Sequence, residues 1–235
     1  VGALVTALVR GAFDYQGQKC SAASRAYIPE SLFAEVCERM VAAIERLKIG
    51  DVTDYGHFMG AVIDERAFDG LGRAIARAEA TSGHRKIAGG APSKTEGWFV
   101  PPHVFACDDP KSPLMTEELF GPVLGIYAYP DHRFAEVLKL IDSSTPYALT
   151  GAVFASDQAA LNLAAEALRD AAGNFYINDK PTGAVVGRQP FGGARRSGTN
   201  DKAGSIFNLL RWTSPRTIKE TFVPAQSPLY PHMLA

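Results

Sequence analysis

The sequence is short of cysteine, with three in 235 residues, and no two of them stand close together. An odd, scattered set excludes a disulfide framework and suits a reducing compartment. Surplus charge is missing as well: 24 Lys and Arg face 25 Asp and Glu, a net charge of -1 and a pI near 6.6. Neither nucleic acid nor an anionic membrane surface is therefore an expected partner. No apolar run approaches the roughly 20 residues that a membrane-spanning helix needs. No metal site is expected. The opening Val1 to Val9 stretch lacks the basic leader and small-residue cleavage site of a signal peptide, and the chain reads as a piece whose N-terminal part is missing. What is present is ordinary globular material, 46% hydrophobic and 21% charged, enough for one large or two small domains.

One cysteine stands in a chemically suggestive place. Gln16-Gly17-Gln18-Lys19-Cys20-Ser21 sets Cys20 between a glycine-containing turn and small residues, Ser21 to Ser24, that read as a short helix. A thiol at a helix N-terminus feels the partial positive charge of unpaired N–H groups, which favours thiolate, and Lys19 pushes the same way. The alternative is an inert, buried thiol, the usual state of a free cysteine. Cys37, on an apolar helical stripe, is expected to be of that kind, and Cys107 is expected to be a bystander in a polar loop.

Periodicity supplies the framework. Residues 1 to 13 read as an apolar helix, Arg25 to Ile28 as a strand closed by Pro29, and Leu32 to Leu47 as an amphipathic helix capped by Ser31 and ended by Gly50. A second helix is expected from about Asp64 to Ala80. Extended segments follow at 86 to 90 and 97 to 106, the prolines confining the latter to an irregular or edge position. Val123 to Tyr129 is a clear strand, and further strands at 149 to 154 and 174 to 178 alternate with helices at 132 to 141 and from Asp157 to Gly173. Strands alternating with helices, without internal repeats, predict an α/β layered domain with a largely parallel sheet.

Two stretches break this rhythm. Glu117-Glu118-Leu119-Phe120-Gly121-Pro122 puts adjacent carboxylates before an aromatic residue and a Gly-Pro turn; an exposed acidic loop explains it equally well at this point. Between Pro181 and Gly204 six glycines crowd one bend, which suggests backbone brought close to a ligand and N–H groups free to form an anion-binding nest. The tail, Leu209 to Val223, alternates like one or two strands with nothing left to pair with, as if offered to another subunit.

Together the motifs resemble the aldehyde dehydrogenase family: Gly17-Gln18-Lys19-Cys20 its cysteine motif, Glu117 to Val123 its cofactor motif, and Asn174 to Gly193 the segment ending in Pro-Phe-Gly-Gly. Phe175 to Lys180, Thr182 to Gly187, Gln189 to Ala194 and Ser197 to Lys202 are most similar to the members that oxidise glutamate semialdehyde in proline breakdown. The resemblance implies a layered α/β/α catalytic domain over residues 1–192, a glycine-rich return segment and oligomerisation tail over 193–235, and a Rossmann-type cofactor domain lying outside the chain. It implies NAD as cofactor, a small aldehyde as substrate, a homo-oligomer, and a place in the cytoplasm or, in a eukaryote, the mitochondrial matrix. Residue by residue, Cys20 is the nucleophile whose own N–H serves the oxyanion, Glu118 holds the nicotinamide ribose, Phe120 packs beside the nicotinamide, and Lys19 also belongs to the cofactor site. Ser21 and the N–H groups of Gly183 and Ala184 take the substrate carboxylate, and Phe191 lines the aldehyde passage. The family's glutamate base and oxyanion asparagine are not visible here, so the piece alone is expected to be inactive. Three other readings remain: an assembly module without catalysis, an aldehyde dehydrogenase with a different aldehyde substrate, and a thioester-forming hydrolase. The last needs a histidine partner for the cysteine, and the five histidines all sit in loops or near ends.

Overall fold

The computed structural model describes residues 1–234. Its centre is a four-stranded sheet in the order β1-β4-β3-β2, built from β1 (Arg25–Pro29), β2 (His84–Ala88), β3 (His103–Cys107) and β4 (Val123–Tyr129). β1 and β3 run parallel to β4, with Arg25 opposite Gly125 and His103 opposite Val123, and β2 is the antiparallel edge. Side chains alternate across the strands, and each face has its own core. On one face α1 (Gly2–Phe13) and α2 (Glu30–Ile44) bury Phe13, Val36 and Met40 against Ile28, Val104, Leu124 and Ile126. On the other, α3 (Glu65–Ala80) and the short α4 (Pro113–Thr116) bury Leu71, Ile75 and Met115 against Phe105 and Val123. The result is the α/β/α layering expected. Beside it, β6 (Thr150–Val153) pairs in parallel with β7 (Asn174–Ile177). They are covered by α5 (Phe134–Ser143) and α6 (Gln158–Ala167), with Leu138, Ala164 and Leu168 as core. β5 (Tyr147–Ala148) and β8 (Ala194–Arg195) tie the glycine-rich segment back to this unit. Among the described residues no helix is long and apolar enough to cross a membrane.

Several expectations need correction. The segment expected at 97 to 106 divides: the stretch through Pro101 and Pro102 is irregular, as expected, but it leads into β3, which is an inner strand with all five residues buried rather than an edge. Cys107 ends that strand rather than sitting in a loop, and burial pushes its thiol up to about 11. Cys37 is only half-buried, on the margin of its helix's apolar face. Ser31 is not the cap of α2. Pro29 holds that position, and Ser31 turns outward to donate from N–H and hydroxyl to the Asp131 carboxylate. α6 stops at Ala167, short of Gly173. The tail holds a short helix, α7 (Ile206–Leu210), followed by exposed chain without strand pairing among the described residues. α1 is buried along one side only, with Gly2, Ala3, Thr6 and Arg10 exposed.

Candidate active site

The site begins at a tight turn leaving α1. Tyr15, Gln16 and Gly17 take φ of 57°, 59° and 64° in succession, a left-handed run that costs a side-chain-bearing residue about 1–2 kcal/mol each. Two glutamines offset that cost by pinning the turn to a neighbouring loop. Gln16 Nε2 donates to Ala61 O at 2.8 Å, and Gln18 Oε1 accepts from Ile63 N–H at 3.0 Å. Gly17 has no alternative residue here, because a Cβ would stand 2.5 Å from Gly121 O and 2.6 Å from Ala12 O. The Cys20 turn thereby meets the Gly-Pro turn backbone to backbone, and Gly121 in turn is held against Leu71 of α3 with no room for a side chain.

Cys20 lies exposed in a single turn, and no helix follows it. Ala22 N–H closes onto Lys19 O, Ala23 N–H crosses to Gly11 O at 2.9 Å, and the chain is diverted straight into β1. Without a helix there is no helix dipole at this thiol. Lys19 Nζ pairs with Asp14 Oδ2 at 2.5 Å and rests 5.9 Å above the Tyr15 ring, so its charge is directed to a carboxylate rather than to Cys20. Both activating features expected at the thiol are therefore absent from the turn itself. What the turn does provide is access, and a Cys20 N–H with no acceptor among the described residues.

Across from Cys20, the stretch leaving α4 divides its two carboxylates. Glu117 pairs with Arg77 of α3 at 2.5 Å, whereas Glu118 is exposed and forms no ion pair among the described residues. Two residues on, Phe120 adopts φ of 54°, a conformation an aromatic residue takes only under constraint, and leaves its ring 47% exposed. Lys19, Cys20, Glu118 and Phe120 line one cavity of about 570 Å³ between the free edge of β1 and β6. A carboxylate able to accept from hydroxyls beside a bare aromatic face, both opening onto a thiol, is a donor set that suits a ribose and an aromatic ring. Among the described residues no histidine lines this cavity, so the arrangement lends no support to a cysteine hydrolase with a histidine base.

The residues expected to take a substrate carboxylate are only partly assembled around it. Ser21 is buried, and its hydroxyl meets that of buried Thr182 at 2.8 Å. This contact brings the glycine-rich loop up to the residue after Cys20, but Gly183, Ala184 and Phe191 do not themselves line the cavity. Gly183 and Ala184 keep N–H groups without an acceptor among the described residues, while Val185 N–H is taken by Gln189 Oε1 at 2.7 Å. Phe191 is fixed by a two-way backbone bridge with Ala203. Thr182 and Arg25 were not anticipated. Arg25 lines the cavity and donates to Met115 O of α4 at 3.1 Å, with burial lowering its pKa. The only sequence signal for it was a charge opening an otherwise apolar strand.

Residues 1–218 match the model of the aldehyde dehydrogenase family, and the chain belongs to that family. Among its curated relatives, the mitochondrial delta-1-pyrroline-5-carboxylate dehydrogenase of Dictyostelium discoideum is 53% identical over 96% of this chain and 40% of the relative. The enzyme of that name from Homo sapiens is 48% identical over 99% of this chain and 42% of the relative. The crystal structure of the delta-pyrroline-5-carboxylate dehydrogenase from Mycobacterium tuberculosis superimposes with a TM-score of 0.88 at 54% identity, covering 99% of this chain and 43% of that one. The same protein bound with NAD gives 0.86 at the same identity. The chain thus spans about two fifths of the length of these relatives.

Proposed function

We propose that this chain is the cysteine-bearing portion of an NAD-dependent dehydrogenase that oxidises glutamate semialdehyde to glutamate in proline breakdown. The observation that carries the reading is the convergence of Cys20, Glu118 and Phe120, distant in sequence, on one cavity. Cys20 Sγ adds to the aldehyde carbon, and the oxyanion of the thiohemiacetal takes the Cys20 N–H. Bound NAD supplies the acceptor for the hydride that this carbon releases. The Cys20 thioester left behind is hydrolysed to the carboxylic acid, freeing the thiol. Glu118 would hold the nicotinamide ribose through its hydroxyls and Phe120 would border the nicotinamide, with Lys19, held by Asp14, lining the same space. Ser21 and the Gly183 and Ala184 N–H groups orient the substrate by its carboxylate, and Phe191 borders the aldehyde's path.

The family resemblance places a deacylating base and a second oxyanion donor outside these residues, and on that reading the 235-residue chain by itself is expected to form no NADH. Its tail is read as an oligomerisation arm, and its setting as the cytoplasm or a mitochondrial matrix. In a full-length enzyme carrying this segment, Cys20→Ala should abolish NADH formation from glutamate semialdehyde while melting as the wild type does. Turnover retained by that variant overturns the assignment.

A further inference from the structure

Beside the glycine loop stands a cation that the mechanism above leaves unused. Lys180 is half-buried between β7 and the loop, its Cβ next to Gly11 of α1, and its Nζ donates to Thr182 O at 3.0 Å. Among the described residues no carboxylate lies within ion-pair distance of it. The adjacent Asp179 spends Oδ1 on the Lys180 backbone N–H at 2.8 Å, and Asp14 is taken by Lys19. A partly desolvated ammonium with one hydrogen bond keeps donors to offer, and favours an anion that comes within reach.

Gly183 keeps that reach open. At φ of 86° it sits where a side chain is strained, and a Cβ there would stand 2.7 Å from Lys180 Nζ. Of the two residues between them, Thr182 bonds to Ser21 beside Cys20, and Pro181 lines the Cys20 cavity. An unpaired ammonium, two free N–H groups and the mutually bonded Ser21 and Thr182 hydroxyls are thus joined through one short loop whose Pro181 lines the Cys20 cavity, while Lys180 itself stands behind that lining.

We propose that Lys180 is a specificity-determining residue: its ammonium supplies the charge that selects aldehydes bearing a carboxylate over neutral aldehydes. The inference rests on reading Cys20 as the nucleophile of an aldehyde dehydrogenase, and it extends that reading from backbone donors to a countercharge. Hydrogen bonds to charged partners set the expected scale, roughly 10- to 100-fold in affinity.

The test uses a full-length enzyme carrying this segment, with kcat and KM measured for glutamate semialdehyde and for hexanal. Lys180→Met should raise the semialdehyde KM by that factor and lower the semialdehyde-to-hexanal ratio of kcat/KM with it, whereas Lys180→Arg should keep most of the ratio. Calorimetric binding of L-glutamate should weaken in parallel, which reads the carboxylate site without turnover. Should Lys180→Met fail to fold, Lys180→Gln carries the same measurements. An unchanged ratio, or equal losses for both aldehydes, overturns the role of Lys180 and leaves the dehydrogenase reading standing. A wild-type enzyme forming no NADH from the semialdehyde overturns both.

Discussion

At the scale of single residues, the shape of the Cys20 turn depends on a glycine. Gly17 needs both its left-handed backbone and its missing side chain, because Gly121 O and Ala12 O occupy the space a Cβ would fill. Gly17→Ala should therefore lose about 1–2 kcal/mol from backbone strain alone, plus the displacement of one turn from the other. Chemical denaturation measures the first, and a changed rate of Cys20 alkylation measures the second. The three thiols should separate in the same experiment. Cys20 is exposed, Cys37 is half-buried with its pKa raised by burial, and Cys107 is buried and pushed up to about 11. Iodoacetamide at pH 8 should label Cys20 first, and Cys107 only after denaturant is added, as peptide mass mapping would show. Labelling of Cys107 in the native chain at the rate of Cys20 would contradict the β3 assignment.

At the scale of elements, α2 is anchored by a contact its sequence had suggested in another form. Ser31 donates from hydroxyl and backbone to Asp131, and these hydrogen bonds hold the Asp131 carboxyl below its usual range. A depressed folded pKa means that the contact contributes stability above the unfolded value, near 3.9, and loses it as pH falls through the folded value. Ser31→Ala should thus be less stable than wild type at pH 7, with the gap closing below pH 4 in thermal melts. Where local chemistry and packing agreed, the elements were legible: β4 follows its apolar run from Val123 to Tyr129, and Asp64 caps α3 through the Ala67 N–H at 2.7 Å. The failures share a cause, since each depended on long-range partners. Ser31 is a sound cap by type but lies within reach of Asp131, a hundred positions away. The Ser21 to Ser24 stretch has helical composition, yet Ala23 bonds across to α1 and Arg25 enters the sheet beside Gly125. The glycines of the loop announced a close approach; that Ser21 and Thr182 make it was not readable from spacing.

At the scale of the whole molecule, the tail is the feature that a single copy leaves unsatisfied. Phe207, Trp212, Ile218, Phe222 and Val223 are between 63% and 87% exposed, within one stretch that packs little against the rest. Clustered apolar exposure of this kind marks an association surface more often than a free one. The tail's link to the body is an ion pair between Arg211 and Asp201 at 2.5 Å, on a surface where such pairs contribute little. The site's own supports end earlier: Lys202 Nζ holds Gly192 O at 2.9 Å, Ala203 bridges Phe191, and Ser205 Oγ donates to Lys202 O at 2.7 Å. A chain ending after Ser205 therefore keeps the glycine loop's supports while removing the exposed apolar residues. Sedimentation equilibrium should find the 235-residue chain as a dimer or larger and the shortened chain as a monomer, with helical circular dichroism reduced only by the one turn of α7. The same number of subunits for both chains would mean that association, if any, runs through another surface, and would remove the tail from the subunit contact.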